Sequence, residues 1–166
     1  GMLQKIACKI RPYEIESGRT DKTLKKGIKV LSDAFMGKRS IEKTLDEIVS
    51  QFEWIETSVS PRPKVAIFGD IYSRDNEVMN QDLVRFIETH GGEVITTPYS
   101  EYAKMIAGSY FRKWFNEGKY FNVLTSRALL TTMTAMEKSY ARIFNRILDT
   151  PQHTYDDDPA EILARY

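Results

Sequence analysis

Cysteine is nearly absent from the sequence, which has one, Cys8, among 166 residues. A single thiol excludes a disulfide within the chain, and it excludes an iron–sulfur or metal site whose ligands are all cysteines of this chain. The two histidines, His90 and His153, are scattered, so they form neither a metal-binding spacing nor a nucleophile–base pair. We therefore assign no catalytic residue and no metal ligand from the sequence.

Long apolar runs and an excess of one charge are also lacking. No stretch approaches the roughly 20 apolar residues that cross a bilayer, and the N-terminus has no signal-peptide core. Lysine and arginine number 24 against 23 aspartates and glutamates, a net charge of +1, which is too balanced to attract nucleic acid or an anionic membrane. We expect a cytoplasmic protein with neither of these partners.

The first 60 residues show apolar side chains at helical spacing. Leu3, Ile6, Ala7 and Ile10 occupy one face of a short helix. Two further helices are predicted to begin at the capping residues Asp21 and Ser40, the first of them ending near Gly37. Residues 58–63 contain two prolines and read as a linker. The pattern predicts a helical subdomain over residues 1–60.

The pattern changes after this linker. Residues 65–68 (VAIF) form a continuous apolar run, which is typical of a strand buried on both faces of a parallel sheet. A second strand is predicted over residues 93–97. Between the two strands we expect a helix whose inward face carries Met79, Leu83, Phe86 and Ile87. This order predicts an α/β fold, with a Rossmann-like or flavodoxin-like parallel βαβ unit over residues 61–150.

The C-terminal part is predicted to be helical. One helix begins near Ser100 and ends near Gly118, and a long helix begins near Ser126, while residues 120–124 fit either a short strand or a helix start. The long helix has an apolar stripe of seven residues: Leu129, Met133, Met136, Tyr140, Ile143, Phe144 and Ile147. Because a sheet of two strands is only marginally stable, we expect a truncated fragment whose tail, residues 151–166, leads to a next strand outside the chain.

Polar side chains follow each predicted strand. In open α/β sheets, ligands bind beyond the carboxyl ends of the strands, so these side chains are the candidate ligand-binding residues. They are Asp70, Tyr72, Arg74, Asp75 and Asn76 after the first strand, and Tyr99, Ser100 and Glu101 after the second. Together the two loops would form a polar cleft for a nucleotide or a CoA moiety.

The roles of these side chains stay open at this point. Asp70 could serve as a base or cation ligand, Tyr72 as a stacking group and Arg74 as an anion clamp. Alternatively, Asp70 and Asn76 cap turns, Arg74 pairs with Asp75 or a neighbouring helix, and Ser100 only begins a helix. Gly69 stands alone, so the glycine-rich fingerprint of dinucleotide-binding folds is missing.

Several ordered motifs resemble the 2-hydroxyacyl-CoA dehydratase superfamily. The chain is most similar to the dehydratase-like region of the large CoA-substrate-specific enzyme activases, over residues 3–148. The motifs are residues 11–14 (RPYE), 63–72 (PKVAIFGDIY), 75–81 (DNEVMNQ), 91–102 (GGEVITTPYSEY) and 111–115 (FRKWF).

The resemblance implies ATP-driven electron transfer to a [4Fe-4S] cluster, which then dehydrates a CoA thioester through a radical. Since Cys8 is the only cysteine, either the cluster ligands lie outside this chain or this member has lost the activity. We expect the first, hence a non-catalytic fragment without a cofactor of its own. Its partners would be the remaining domains of the parent protein, a dehydratase or activator subunit, and a CoA thioester.

Two alternatives belong to other classes of protein. The chain could be a small ligand-binding or regulatory α/β domain that uses the cleft described above. It could also be an interaction module that docks through the apolar stripe of the long helix. Burial of the whole stripe within one chain would exclude the interaction module.

Overall fold

A computed structural model describes most of the chain. The described residues are 1–67, 69–70, 74, 76–96 and 99–148, with the backbone alone described for 99–106 and 109. The described part is mostly helical and contains one two-stranded parallel sheet, so the predicted mixture of helices and strands is confirmed.

The first helix, α1 (Met2–Ile10), agrees with its predicted apolar face. Leu3, Ile6, Ala7 and Ile10 are buried, and Cys8 joins them in the interior. A 3₁₀ turn, Arg11–Tyr13, ends the helix at Pro12, where a proline is tolerated because the first backbone N–H groups of a helical turn need no partner within it.

Helices α2 (Arg19–Asp33) and α3 (Ile41–Glu53) follow and pack against each other. Ser40 caps α3 as predicted, since its side chain accepts a hydrogen bond from the Lys43 amide. The predicted cap of α2 was wrong, because α2 begins two residues before Asp21. Glu14 takes that role instead: its carboxylate accepts hydrogen bonds from the amides of Gly18 and Thr20, both at 2.7 Å.

A π-helical turn, Ala34–Lys38, lies between α2 and α3. Gly37 has a φ of +80° there, a left-handed conformation that glycine adopts without steric cost. The prediction that the second helix ends near this glycine is confirmed.

The sheet consists of β1 (Lys64–Ala66) and β2 (Glu93–Ile95), with Val65 opposite Val94. Helix α4 (Leu83–Thr89) lies between them in sequence, so the predicted parallel βαβ order is confirmed. The prediction that β1 is buried on both faces was wrong, because Lys64 and Ala66 are exposed.

Lys64 and Ala66 are exposed because α1 and α4 both cover the other face of the sheet. Cys8 from α1 forms a buried cluster with Ile67 and Val94, and α4 packs against this cluster. The residues of α4 in that contact are Leu83, Val84 and Ile87. The opposite face, which we call the outer face, carries Lys64, Ala66, Glu93 and Ile95.

The inward face predicted for the crossover helix was half correct. Leu83 and Ile87 pack against the sheet cluster, but Met79 and Phe86 are exposed. Met79 precedes the helix because residues 77–82 form turns, in which Gln81 and Asp82 adopt left-handed φ values of +53° and +56°.

The C-terminal half contains α5 (Tyr99–Asn116) and α6 (Tyr120–Phe144). Residues 120–124 therefore begin the long helix, which settles the ambiguity between strand and helix. Gly118, with a φ of +71°, lies between the two helices. None of the described helices combines the length and apolar character that crossing a membrane requires.

The chain divides into two compact units. The first contains residues 1–98 and 142–148, and the second contains residues 99–141. In the first unit, Lys9 donates a hydrogen bond to the carbonyl of Ile147 at 2.6 Å, and Arg146 pairs with Asp46 and Glu53. The division predicted at residues 60 and 150 stays a prediction, and the predicted tail, residues 151–166, lies outside the described residues.

Candidate functional site

The segment after β1 carries three described candidate residues, Asp70, Arg74 and Asn76. The backbone turns at Gly69, where φ is +136°, and the carbonyl of Asp70 accepts a hydrogen bond from the Arg74 amide at 2.8 Å. Asp70 itself is exposed to solvent. Because β1 and β2 are parallel, this segment leaves the sheet at the edge where carboxyl ends of strands meet.

Arg74 and Asn76 shape the turn that leads to α4. Arg74 is only 4% exposed, and its carbonyl accepts a hydrogen bond from the Asn80 side chain at 2.8 Å. The Asn76 side chain accepts hydrogen bonds from the amides of Val78 and Met79 at 3.0 and 3.1 Å. Asn76 therefore caps a turn, as the alternative interpretation predicted.

The other candidate residues divide into two groups. Tyr72 and Asp75 lie outside the described residues. Tyr99, Ser100 and Glu101 form the first turn of α5, which confirms the predicted helix start at Ser100 to within one residue. Their side chains are outside the described part, so the cleft between the two loops stays a prediction.

The motif at residues 11–14 joins the N-terminal helices to the βαβ unit. Arg11 donates two hydrogen bonds to the Glu88 carboxylate of α4, at 2.8 and 3.0 Å. The hydroxyl of Tyr13 donates to Glu93 of β2 at 2.7 Å. Together with the cap that Glu14 provides for α2, these contacts give three of the four motif residues a structural role.

Arg11 and Glu88 belong to a ring of four alternating charges, which we call the Arg11 ring. The other two members are Asp21 of α2, 3.0 Å from the Arg11 Nε, and Arg85 of α4, 2.5 Å from Asp21. Arg85 closes the ring to Glu88 at 3.7 Å. Each buried charge thus has an opposite charge on either side, which offsets the free energy of removing it from water.

Burial and the neighbouring charges shift the pKa values of Glu88 and Asp21 in opposite directions. Burial raises the pKa of Glu88 above its usual value, against the opposing effect of Arg11. Burial also acts to raise the pKa of Asp21, but the hydrogen bond from Arg85 and the charge of Arg11 outweigh it and hold that pKa below its usual value. The more exposed Asp21 is therefore the better stabilised anion.

Cys8 is not suited to ligate the iron–sulfur cluster that the sequence resemblance implies. Its thiol is fully buried, and burial raises its pKa to about 11, which disfavours the thiolate that ligates iron. Among the described residues, no group of three or more His, Cys, Asp and Glu side chains is placed to hold a metal ion. A cluster would need ligands from another chain or segment.

Sequence reasoning did not find the Arg11 ring. The paired residues come from distant positions, since Arg11 and Glu88 are 77 positions apart, and no local pattern links them. One part of the ring has a local signal: Arg85 and Glu88 are three residues apart, a spacing that places both side chains on one side of a helix.

The apolar stripe predicted on the long helix is partly exposed. Leu129, Met133 and Met136 are exposed, whereas Ile143 and Phe144 are buried. Since the stripe is not wholly buried, the interaction-module alternative is not excluded.

No protein-family model, curated protein sequence or solved structure matches the chain.

Proposed function

We propose that this chain is a non-catalytic part of a 2-hydroxyacyl-CoA dehydratase or activase-like protein, in which it binds the CoA thioester. The parent protein would couple ATP-driven electron transfer to radical dehydration of that thioester. In this proposal the [4Fe-4S] cluster and the ATP site belong to other segments or to a dehydratase or activator subunit, and the βαβ unit is part of a larger Rossmann-like sheet.

The observation that carries the proposal is the outer face of the sheet. Parallel sheets are normally covered on both faces, yet on the outer face Lys64, Ala66 and Ile95 are exposed, the last at 42%, and only Glu93, which accepts the Tyr13 hydrogen bond, is buried there. Ala66 and Ile95 are opposite one another on the two strands, so their exposed apolar surface is contiguous, which favours a chain that packs against further protein. This matches the role of a domain within a larger assembly.

The placement of Asp70, Arg74 and Asn76 supports the ligand class. They follow β1 at the carboxyl edge of the sheet, where α/β proteins bind phosphate-containing ligands. The turn at residues 76–82 is held by the Asn76 and Asn80 side chains, so the backbone beside this edge is preorganised. A CoA thioester offers both phosphates and a thioester to such an edge.

Thermal unfolding with added ligands tests the proposal. A 2-hydroxyacyl-CoA should raise the Tm of the chain, since a ligand at about 100 times its Kd adds about 2.7 kcal/mol to stability. ATP should not raise it. In the Arg74→Gln variant, which removes the cation among the three described candidate residues, the CoA-dependent shift should shrink, whereas the control Glu42→Gln, at an exposed position of α3, should keep it. No shift with millimolar 2-hydroxyacyl-CoA, or an equal shift with ATP, would contradict the proposal.

A further inference from the structure

Four lysines of α2 face solvent on one side of the helix, and we call them the α2 lysine stripe. They are Lys22, Lys25, Lys26 and Lys29, and all four are exposed. Because a helix turns about 100° with each residue, their spacing places them within roughly 100° of its circumference. Residues 19–39 carry seven lysines and arginines against two aspartates, a net charge of +5 in a chain whose total is +1. The positive charge of the chain is therefore concentrated here.

The carboxylates of residues 16–40 already pair with other cations. The pairs are Glu16 with Arg19, Asp21 with Arg11 and Arg85, and Asp33 with Lys38. On the neighbouring α3, Glu47 pairs with Arg39, and Glu42 lies between Arg39 and Lys43 in the sequence. The four lysines of the stripe form an ion pair with none of these carboxylates, so their charge is open to a partner.

Three exposed apolar side chains border the stripe. Ile28, Phe35 and Met36 are 54%, 68% and 77% exposed. The backbone keeps helical dihedral angles through Met36 and departs from them at Gly37. Phe35 follows Ile28 by seven residues and Met36 follows Lys29 by seven, so each lies about two turns further along nearly the same line of the helix. A row of lysines beside exposed apolar side chains is typical of a helix that binds at the surface of an anionic membrane.

The residue types of this face favour a lipid surface over a protein or a nucleic acid. Protein interfaces are depleted in lysine and enriched in arginine, whose planar group makes fixed two-bond contacts, whereas the stripe contains lysine alone. The phosphate backbone of a nucleic acid would attract the lysines but offers no apolar surface to Ile28 and Met36. An anionic bilayer offers negative headgroups to the lysines and acyl chains just below them to the apolar side chains.

We infer that α2 and the turn after it bind the surface of a membrane that contains anionic lipids. The lysine stripe contacts the headgroups, and Ile28, Phe35 and Met36 enter the boundary with the acyl chains. The expectation that the chain has no membrane partner rests on its net charge. Within the Debye length of about 8 Å the local charge decides, so that expectation does not apply to this face. Each lysine near such a surface strengthens binding about fivefold, which makes the contact peripheral and reversible.

Co-sedimentation of the full chain with lipid vesicles tests this proposal. Vesicles of phosphatidylcholine and phosphatidylserine should bind the chain at low salt, and vesicles of phosphatidylcholine alone should not. The double variant Lys25→Gln, Lys29→Gln should lower the partition coefficient at least about tenfold. Lys113→Gln, Lys138→Gln is the matched control, because it removes the same charge from exposed positions of α5 and α6 and should leave binding unchanged.

A fluorescent label tests the apolar part of the contact. Since Cys8 is buried, the variant Met36→Cys offers one accessible thiol to a dye whose emission rises in apolar surroundings. Emission should rise on the mixed vesicles at this position and stay unchanged in Ala135→Cys, at an exposed position of α6.

Three results would overturn the proposal. They are no vesicle binding at low salt, equal losses of binding in the two lysine double variants, and a label at position 36 whose emission rises with poly-glutamate but not with vesicles. The last result would assign this face to an acidic protein partner instead.

Discussion

The guanidinium group of Arg11 donates two hydrogen bonds to the carboxylate of Glu88, and both side chains are almost fully buried, at 6% and 5% exposure. The pair joins the turn after α1 to the crossover helix α4. Replacing either partner alone removes the buried two-bond pair and leaves the other charge with one opposite charge, Asp21 for Arg11 or Arg85 for Glu88, and breaking a buried pair in this way typically costs about 3–5 kcal/mol. We therefore expect Arg11→Ala to destabilise the chain by this amount in urea unfolding.

The double variant Arg11→Met, Glu88→Leu provides the control for this prediction. It replaces the pair with apolar side chains of similar volume, and Asp21 and Arg85 can still pair with each other. Its loss of stability should be smaller than that of Arg11→Ala, because no charge of the pair is left unpaired. Equal losses in the two variants would show that packing matters and pairing does not.

Asp21 should make stability fall in acid. Its pKa is held below the usual value by Arg85 and Arg11, so the folded chain releases this proton at a lower pH than the unfolded chain. The stability it contributes is present above the unfolded pKa of about 3.9 and is lost as pH falls through the lower folded value. Unfolding of Asp21→Asn at a series of pH values should show a shallower acid slope.

Glu88 contributes with the opposite sign. Burial raises its pKa in the folded chain, so its contribution is greatest below its unfolded pKa and decreases as pH rises through the folded value. The contribution of Asp21 is therefore the difference between Asp21→Asn and wild type in the slope of unfolding free energy against pH. Glu88 is present in both proteins, so its effect cancels in this difference. An unchanged slope in Asp21→Asn would contradict the role given to Asp21.

Two glycines in helices should respond differently to alanine. A Cβ on Gly27 of α2 would lie 2.8 Å from a buried side-chain carbon of Ile48 in α3, whereas a Cβ on Gly108 of α5 would meet nothing within 4 Å. Overpacking should outweigh the gain in helix propensity at Gly27, for a net loss of about 1 kcal/mol. Gly108→Ala should instead gain about 0.5–1 kcal/mol.

Thermal unfolding followed by circular dichroism compares these two variants with wild type. A stabilised Gly27→Ala would mean that α2 and α3 are not in the close contact described above. A destabilised Gly108→Ala would mean that this position of α5 is covered.

The Cys8 thiol should be nearly inert in the folded chain. Burial raises its pKa from 9.0 to about 11, which at pH 8 lowers the reactive thiolate fraction about a hundredfold, and the side chain is closed to reagents. Reaction with a thiol-specific chromogenic disulfide should therefore be at least that much slower in buffer than in concentrated urea. Equal rates in the two conditions would contradict the burial of α1 against the sheet.

Local signals in the sequence account for the parts of the fold that were predicted correctly. The apolar spacing of α1, the Ser40 cap and the turn at Gly37 each depend on residues within a few positions of one another. The start of α4 was missed because Gln81 and Asp82 adopt left-handed conformations that their residue types do not demand. Burial of β1 was misjudged because it depends on which elements cover each face of the sheet.

The position of the candidate residues in the fold could be predicted from the sequence, but their burial and their contacts could not. The order of strand and polar loop placed Asp70, Arg74 and Asn76 at the carboxyl edge of the sheet. The burial of Arg74 and the Arg11 ring could not be predicted, because both depend on contacts between residues far apart in sequence.

Nuclear magnetic resonance of the isotope-labelled chain, titrated with a 2-hydroxyacyl-CoA, tests the proposed function most directly because it resolves the binding site by residue. The proposal predicts saturable shifts of the Asp70, Arg74 and Asn76 amides, while the amides of α2 and α3 stay unchanged. Shifts confined to other parts of the chain, or no shifts at millimolar ligand, would contradict it.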